Sequence, residues 1–135
     1  GPWGRPDMAY YKFCDRIKKG ERINVFNSGN MLRDFTYIDD IVKGTIAAID
    51  NNYNCEIFNL GNGKAERLMD MIALIEQNLG KKAEIIFKSM QPGDLEKTFA
   101  DIEYTRDKLN YNPKTTLKEG IPRFIEWYES YNIDL

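Results

Sequence analysis

Two arginines and one aspartate stand in short polar segments where they could bind an anionic ligand that also carries hydroxyl groups. Arg5 follows a Gly-Pro-Trp-Gly opening, Arg33 begins an Arg-Asp-Phe-Thr-Tyr-Ile-Asp-Asp run, and Asp94 ends a Gln-Pro-Gly-Asp turn. A guanidinium keeps its charge and offers forked donors to phosphate or carboxylate oxygens, whereas a carboxylate accepts from hydroxyls. Taken alone, Arg33 is better explained as a surface arginine paired with Asp34, and Asp94 is compatible with a simple turn.

Composition excludes several other chemistries. The chain has no histidine and two cysteines without Cys-x-x-Cys spacing, so neither a metal site nor a disulfide is predicted. A net charge of −2 argues against nucleic acid or an anionic membrane as the partner. No apolar run approaches the roughly 20 residues that span a bilayer, so a cytoplasmic location is expected.

The 135 residues make one small domain, in which short strands alternate with helices. Helices are predicted after Pro6, after an Asp39 N-cap, from about Glu66 to Leu79, after Asp101 and from about Gly120; strands are predicted over residues 23–26, 31–38, 55–60, 83–87 and 98–100. The predicted apolar face of the second helix comprises Ile41, Val42, Thr45, Ile46, Ala48 and Ile49. This alternation is an α/β pattern, and alone it does not indicate a function.

Pro122 complicates the start of the last helix. Thr116 and Glu119 have the spacing of a capping box, which would begin the helix there. Proline is tolerated in the first turn of a helix but not inside it. We therefore expect the helix to begin near Gly120.

Three short motifs resemble catalytic or cofactor signatures and are not interpreted as such. The Tyr104 to Lys108 string fits Tyr-x-x-x-Lys, but such a string is expected by chance in a chain rich in both residues. The Gly-Asn-Gly loop that begins at Gly61 follows a predicted strand, yet Glu66 replaces the third glycine of a dinucleotide fingerprint. Asp39 and Asp40 are explained by helix capping and by the helix dipole.

Segments over most of the chain together carry a family resemblance. They are residues 1–9 (Gly-Pro-Trp-Gly-Arg-Pro-Asp-Met-Ala), 23–27 with 33–42, 91–94 with 100–101, and the ending over 119–128. In this order and spacing the chain resembles the extended short-chain dehydrogenase/reductase family, which includes the NAD-dependent nucleotide-sugar epimerases and dehydratases. The first segment is most similar to the UDP-glucuronate 4-epimerase branch.

The resemblance implies that residues 1–135 are the C-terminal sugar-nucleotide (UDP-sugar) binding domain of such an enzyme, with the N-terminal NAD-binding (Rossmann) domain missing. In the intact enzyme NAD accepts and returns a hydride at C4 of the sugar, and a tyrosine of the N-terminal domain deprotonates O4. Both the Gly-rich cofactor loop and that tyrosine are expected upstream. This chain alone is therefore expected to contain no catalytic residue, to bind no NAD and to be inactive.

The resemblance also assigns roles to six residues. Arg33 is expected against the UDP diphosphate, and Asp94 against the ribose hydroxyls. Gln91 stands where many relatives have a second phosphate-binding arginine, which weakens diphosphate binding unless another cation substitutes. Phe26 is expected beside the nucleobase with Met8 nearby, and Arg5 beside the carboxylate of a uronate sugar.

Other functions stay open at this point. A UDP-hexose or UDP-N-acetylhexosamine 4-epimerase, or a related dehydratase, fits most of the same residues. A stand-alone sugar-nucleotide-binding module is the alternative of another class. If the cofactor domain is missing, the apolar face of the helix over 39–50 loses cover, and a homo-oligomer unlike the family's usual dimer is expected.

Overall fold

The computed structural model describes residues 1–131, which form five helices, four short strands and one 3₁₀ turn at Asn27–Gly29. The helices are α1 Ala9–Lys19, α2 Ile38–Asn51, α3 Leu68–Leu79, α4 Glu103–Leu109 and α5 Leu117–Tyr131. The strands are β1 Ile23–Val25, β2 Leu32–Asp34, β3 Ala65–Arg67 and β4 Ile85–Phe87. The predicted α/β class is confirmed.

The main core lies where α1, α3 and α5 pack together over β1. Its fully buried side chains come from one face of each helix and from β1: Cys14, Ile17, Ile23, Val25, Met71, Ile72, Ile75 and Phe124. Gly20 and Gly80 end α1 and α3 in the left-handed conformation, with φ of 73° and 63°, as the sequence predicts. Burial raises the pKa of the Cys14 thiol to about 12, which keeps it protonated and unreactive.

Two strand pairs frame the surface that carries the candidate site. β1 pairs in parallel with β4, and β2 pairs antiparallel with β3, with Arg33 opposite Glu66. Lys97 adds one parallel bridge to Leu32, and the Thr98 N–H donates to the Leu32 carbonyl at 3.1 Å. Residues 98–100 do not form the predicted strand, and the bridge lies one residue earlier, at Lys97.

A second, smaller cluster of Ile102, Leu109 and Tyr111 joins α2 to α4. α2 meets this cluster through small residues, because its buried positions are Asp40 and Gly44. A side chain at position 44 would collide with Leu60 and Tyr111.

The predicted apolar face of α2 therefore lies largely at the surface. Ile46 is 52% exposed and Ile49 is 71% exposed, and Val42 also lies at the surface. Hydrophobic periodicity marks an apolar stripe but not which side of the helix is packed, and here close approach by small residues decides the packing. The exposed stripe agrees with the expected loss of cover, and self-association stays a prediction.

The N-cap of α2 also differs from the prediction. Tyr37 occupies that position, and Asp39 and Asp40 both lie in the first turn. The prediction that α3 starts near Glu66 is wrong too, because residues 65–67 pair as β3 before the helix begins at Leu68.

Residues 55–60 do not form the predicted strand. No strand of residues 1–131 pairs with them, and hydrogen bonds that involve side chains hold them instead. The Thr105 hydroxyl donates to the Asn59 carbonyl at 2.8 Å, and the Asn59 side-chain Nδ2 donates to the Asp101 carbonyl at 3.1 Å. β-propensity alone does not make a strand where no partner is placed beside it.

The start of α5 corrects the expectation drawn from Pro122. Glu119 accepts from both the N–H and the hydroxyl of Thr116 at 2.9 Å, and the helix begins at Leu117. Pro122 lies inside the helix, in its second turn, where it removes one N–H donor. The cap and the buried face of α5 outweigh that loss.

Candidate functional site

A cleft of about 600 Å³ opens between α1, β1, β2 and the loop that contains the Gln-Pro-Gly-Asp turn. It is lined by Asp7, Ala9, Lys12, Phe13, Arg16, Asn24, Phe26, Met31, Arg33, Phe35, Leu68, Gln91 and Asp94. The walls combine aromatic rings with charged groups of both signs. Such a mixture suits a ligand that has a flat ring, hydroxyls and a negative charge.

Arg33 and Asp94 form an ion pair in this cleft. The Arg33 Nη2 lies 2.8 Å from Asp94 Oδ1, although the two residues are 61 positions apart. The Nη1 of the same guanidinium donates to the carbonyls of Leu32 and Glu96. The alternative of a pair between Arg33 and Asp34 is wrong, since Asp34 is held by other partners.

Asp94 keeps one carboxylate oxygen for a ligand. Its Oδ1 accepts from Arg33 and from the Leu95 N–H at 2.9 Å. Within residues 1–131 no hydrogen bond to Oδ2 is formed. A hydroxyl group could therefore bind Asp94 while Arg33 stays in place.

Four of the six residues predicted to bind the ligand lie in this one cleft: Phe26, Arg33, Gln91 and Asp94. Phe26 is half-buried just after β1, and Gln91 is exposed at the mouth of the turn. They come from three separate stretches of sequence. The sequence identifies these residues as candidates, and the fold brings them into one cleft.

The structure does not bring Arg5 and Met8 into the cleft. Arg5 Nε lies 3.3 Å from Asp7 Oδ1, its Nη2 contacts the Met8 sulfur at 3.5 Å, and its side chain is 75% exposed. Met8 lines a neighbouring apolar cavity of about 270 Å³ that also contacts Phe35 and Phe124. Through Asp7, Arg5 adjoins the rim of the cleft without lining it.

Sequence reasoning missed four polar residues of the cleft: Asp7, Lys12, Arg16 and Asn24. The signal was present in α1, where Ala9, Lys12, Phe13 and Arg16 recur at steps of three and four residues and so share one helix face. Arg16 is committed elsewhere, because its Nη1 donates to the Arg22 carbonyl at 3.0 Å.

Asp34, next to Arg33 in sequence, holds three segments together. Its carboxylate accepts from the Thr36 hydroxyl and from the N–H groups of Asn62, Gly63 and Ala100, all at 2.8–3.0 Å. This network connects the end of β2 to two loops.

The hydrogen bonds of Asp34 also bear on whether the Gly61-Asn-Gly loop could bind a dinucleotide. A phosphate at such a loop needs free backbone N–H groups. The N–H groups of Asn62 and Gly63 are already donated to Asp34, and Glu66 would place a carboxylate nearby. The loop does not fit NAD, as the sequence indicates.

Asp40 has a comparable structural role at the start of α2. Only 2% of its surface is exposed, and it accepts from the N–H groups of Thr115 and Lys114 at 2.8 and 3.2 Å. Burial by itself would raise the pKa of this carboxyl, but these hydrogen bonds and Lys43 lower it below its ordinary value. The carboxylate fastens the loop before α5 to α2.

The Tyr104 to Lys108 string contains no catalytic pair. The Tyr104 hydroxyl donates to Glu56 at 2.9 Å, and this hydrogen bond raises the pKa of Tyr104 above its ordinary value. A catalytic tyrosine base needs the opposite shift. Lys108 lies over the Tyr104 ring, 5.7 Å from its centroid, and neither residue lines the cleft.

Residues 1–131 contain no cluster of three or more metal-ligating side chains. None of their helices has both the length and the apolar character needed to cross a membrane.

Comparison with known proteins points to one family. Residues 1–61 match the model of the NAD dependent epimerase/dehydratase family. The chain is 51% identical over 128 residues to an uncharacterized protein of Methanocaldococcus jannaschii, covering 95% of this chain and 39% of that protein. It is 40% identical over 148 residues to UDP-glucuronate 4-epimerase 4 of Arabidopsis thaliana, covering 97% of this chain and 34% of that protein.

A solved structure agrees with these relatives. The crystal structure of UDP-glucuronic acid 4-epimerase from Bacillus cereus, in complex with UDP-glucuronic acid and NAD, superposes with a TM-score of 0.90. Sequence identity is 32%, and the match covers 97% of this chain and 42% of that one. The chain corresponds to the C-terminal part of such proteins. It spans between 34% and 45% of the length of the curated relatives that it matches here.

Proposed function

Because this chain belongs to the NAD dependent epimerase/dehydratase family, we propose that it is the UDP-sugar-binding part of a UDP-sugar 4-epimerase. The proposed reaction interconverts UDP-glucuronate and UDP-galacturonate. In this role residues 1–135 bind and orient the nucleotide sugar, and residues outside this chain bind NAD, which supplies the hydride chemistry.

One observation carries the proposal. Arg33, Asp94 and Phe26 lie far apart in sequence yet line a single cleft. The Arg33 guanidinium can donate to diphosphate oxygens, and the free oxygen of Asp94 can accept from a ribose hydroxyl. Phe26 offers a flat apolar surface for the base. Each group matches one part of UDP.

The choice of a uronate sugar rests on different support. Several relatives are named UDP-glucuronate 4-epimerases, and the structural match is to a protein in complex with UDP-glucuronic acid. Arg5 is the residue of this chain proposed to favour the C6 carboxylate. It adjoins the cleft through its ion pair with Asp7, and its side chain is 75% exposed.

The test is an epimerisation assay on the protein expressed from its complete reading frame. Purified protein with NAD is incubated with UDP-glucuronate, and the sugar nucleotides are separated and quantified. Formation of UDP-galacturonate to the equilibrium ratio supports the proposal. If UDP-glucose is turned over and UDP-glucuronate is not, the proposed 4-epimerase activity stands and the proposed uronate substrate is wrong. Binding of UDP without turnover of any UDP-sugar would favour a stand-alone binding module.

A further inference from the structure

Most charged side chains of the cleft already have a partner, and one does not. Among its lining residues Arg33 is paired with Asp94, Arg16 donates to the Arg22 carbonyl, and Asp7 is paired with Arg5. The side-chain ammonium of Lys12 has neither a hydrogen bond nor an ion pair within residues 1–131. It is the one uncommitted cation of the described cleft.

The proposed ligand has an excess of negative charge. A diphosphate carries a negative charge on each phosphate, and one arginine that already shares its charge with a carboxylate neutralises it incompletely. Gln91, at the mouth of the cleft, contributes hydrogen bonds but no charge. A second cation is therefore needed from another element.

Lys12 meets the geometric requirements for that cation. It lies in the second turn of α1, and the residues one turn to either side on the same face, Ala9 and Arg16, also line the cleft. Its side chain is exposed, with a mobile four-carbon stem and three donors, so it can follow a phosphate without strain. Arg33 reaches the same cleft from β2, a different element.

We propose that Lys12 is the second diphosphate-binding residue of this chain and takes the place of a cation at position 91. The proposal rests on the proposed function, because it assumes a UDP ligand. It makes Lys12 a binding residue that acts together with Arg33. A lysine is a point charge rather than a fork, so its contribution is sensitive to salt.

The experiment is a calorimetric titration of UDP and of uridine into the whole protein at two salt concentrations. Lys12→Ala should weaken UDP binding about three- to tenfold at low salt, and less at high salt, as expected for a charged hydrogen bond that is partly exposed. Uridine affinity should not change. Lys12→Arg should retain most of the UDP affinity, and the double variant Lys12→Ala with Gln91→Arg should recover it.

Matched controls separate this proposal from the proposed function. Lys43→Ala removes another exposed lysine, on α2 and outside the cleft, and should leave UDP affinity unchanged. Because Lys12 is exposed, its variants should have the same melting temperature as the wild type. If Arg33→Ala weakens UDP binding and Lys12→Ala does not, the Lys12 proposal is wrong and the proposed function stands. If Lys12→Ala weakens uridine equally, Lys12 serves the nucleoside and the proposal is also wrong. If the wild type does not bind UDP, both fail.

Discussion

Two groups of carboxylates in this protein differ in what their oxygens bind. Asp34 and Asp40 accept hydrogen bonds from backbone N–H groups of distant loops. Asp94 binds the Arg33 guanidinium and keeps one oxygen free at the edge of a cleft. Carboxylates saturated by the backbone hold the fold, whereas a carboxylate with spare capacity beside a cation is available to a ligand.

The Arg-Asp-Phe-Thr-Tyr-Ile-Asp-Asp run therefore combines two roles. Arg33 faces the cleft, and Asp34, the next residue of β2, faces the opposite way and fastens two loops. A single motif thus both places a charged side chain in the cleft and fixes the strand that carries it. Variants of the two kinds should separate stability from binding.

The largest effect is expected for Asp34→Ala. Three backbone N–H groups, those of Asn62, Gly63 and Ala100, would lose their acceptor. We expect the free energy of unfolding to fall by about 3–5 kcal/mol, because each unsatisfied donor costs roughly 1–3 kcal/mol and some regain water. Urea unfolding followed by circular dichroism measures this loss. The control Asp50→Ala, at an exposed position of α2, should change stability by less than about 0.5 kcal/mol. Equal losses in both variants would refute the role assigned to Asp34.

A smaller effect with a defined pH dependence is expected for Asp40→Asn. Because the pKa of Asp40 is lowered in the folded state, its charged form is stabilised by folding. That contribution is complete above the unfolded pKa of about 3.9 and is lost as the pH falls through the folded pKa. At pH 7 we expect a loss of about 1–3 kcal/mol in the variant, the range for hydrogen bonds to a charged group.

The measurement for Asp40 is urea unfolding of wild type and variant from pH 7 to pH 3. The gap between the two should narrow toward the acid end. Asp15 and Glu76 also have lowered pKa values, so wild-type acid sensitivity alone is not diagnostic, whereas the difference between the two proteins isolates Asp40. A gap that stays constant over this range would show that the charge of Asp40 is not what stabilises the loop.

The smallest effect is expected for Arg5→Leu. Arg5 is exposed and outside the cleft, so its contact with a uronate carboxylate should be strongly screened. We expect kcat/KM for UDP-glucuronate to fall roughly two- to fivefold, with UDP-glucose unaffected, in the range for exposed ion pairs. Arg106→Leu, on exposed α4 surface, is the control. Equal losses on both substrates would make Arg5 a structural residue.

The features of the fold that could be predicted from the sequence are those determined by residues close together in the chain. The glycine stops of α1 and α3 and the core faces of both helices are encoded within a few residues, and they were predicted correctly. The side on which α2 packs could not be predicted, because the contacts of Gly44 with Leu60 and Tyr111 involve residues far along the chain.

The candidate site shows the same division. Motifs supplied Arg33, Asp94, Gln91 and Phe26, and the structure places them in one cleft. Lys12 was missed although the spacing in α1 places it on the same helix face as Phe13 and Arg16, because only the packing of α1 beside β1 and β2 turns that face toward a cleft. The partner of Arg33 was also missed, since the Asp94 contact spans 61 positions.

The most direct test of the account compares UDP with uridine as ligands of wild type, Arg33→Ala and the matched control Arg106→Ala. The protein is expressed from its complete reading frame, and both affinities are measured by calorimetry at one salt concentration. If Arg33 binds the diphosphate, Arg33→Ala should weaken UDP binding by about 1.5–3 kcal/mol and leave uridine binding nearly unchanged, and the control should bind both ligands as the wild type does. UDP affinity that is the same in all three proteins would contradict this role and would remove Arg33, and the cleft it lines, from the binding site.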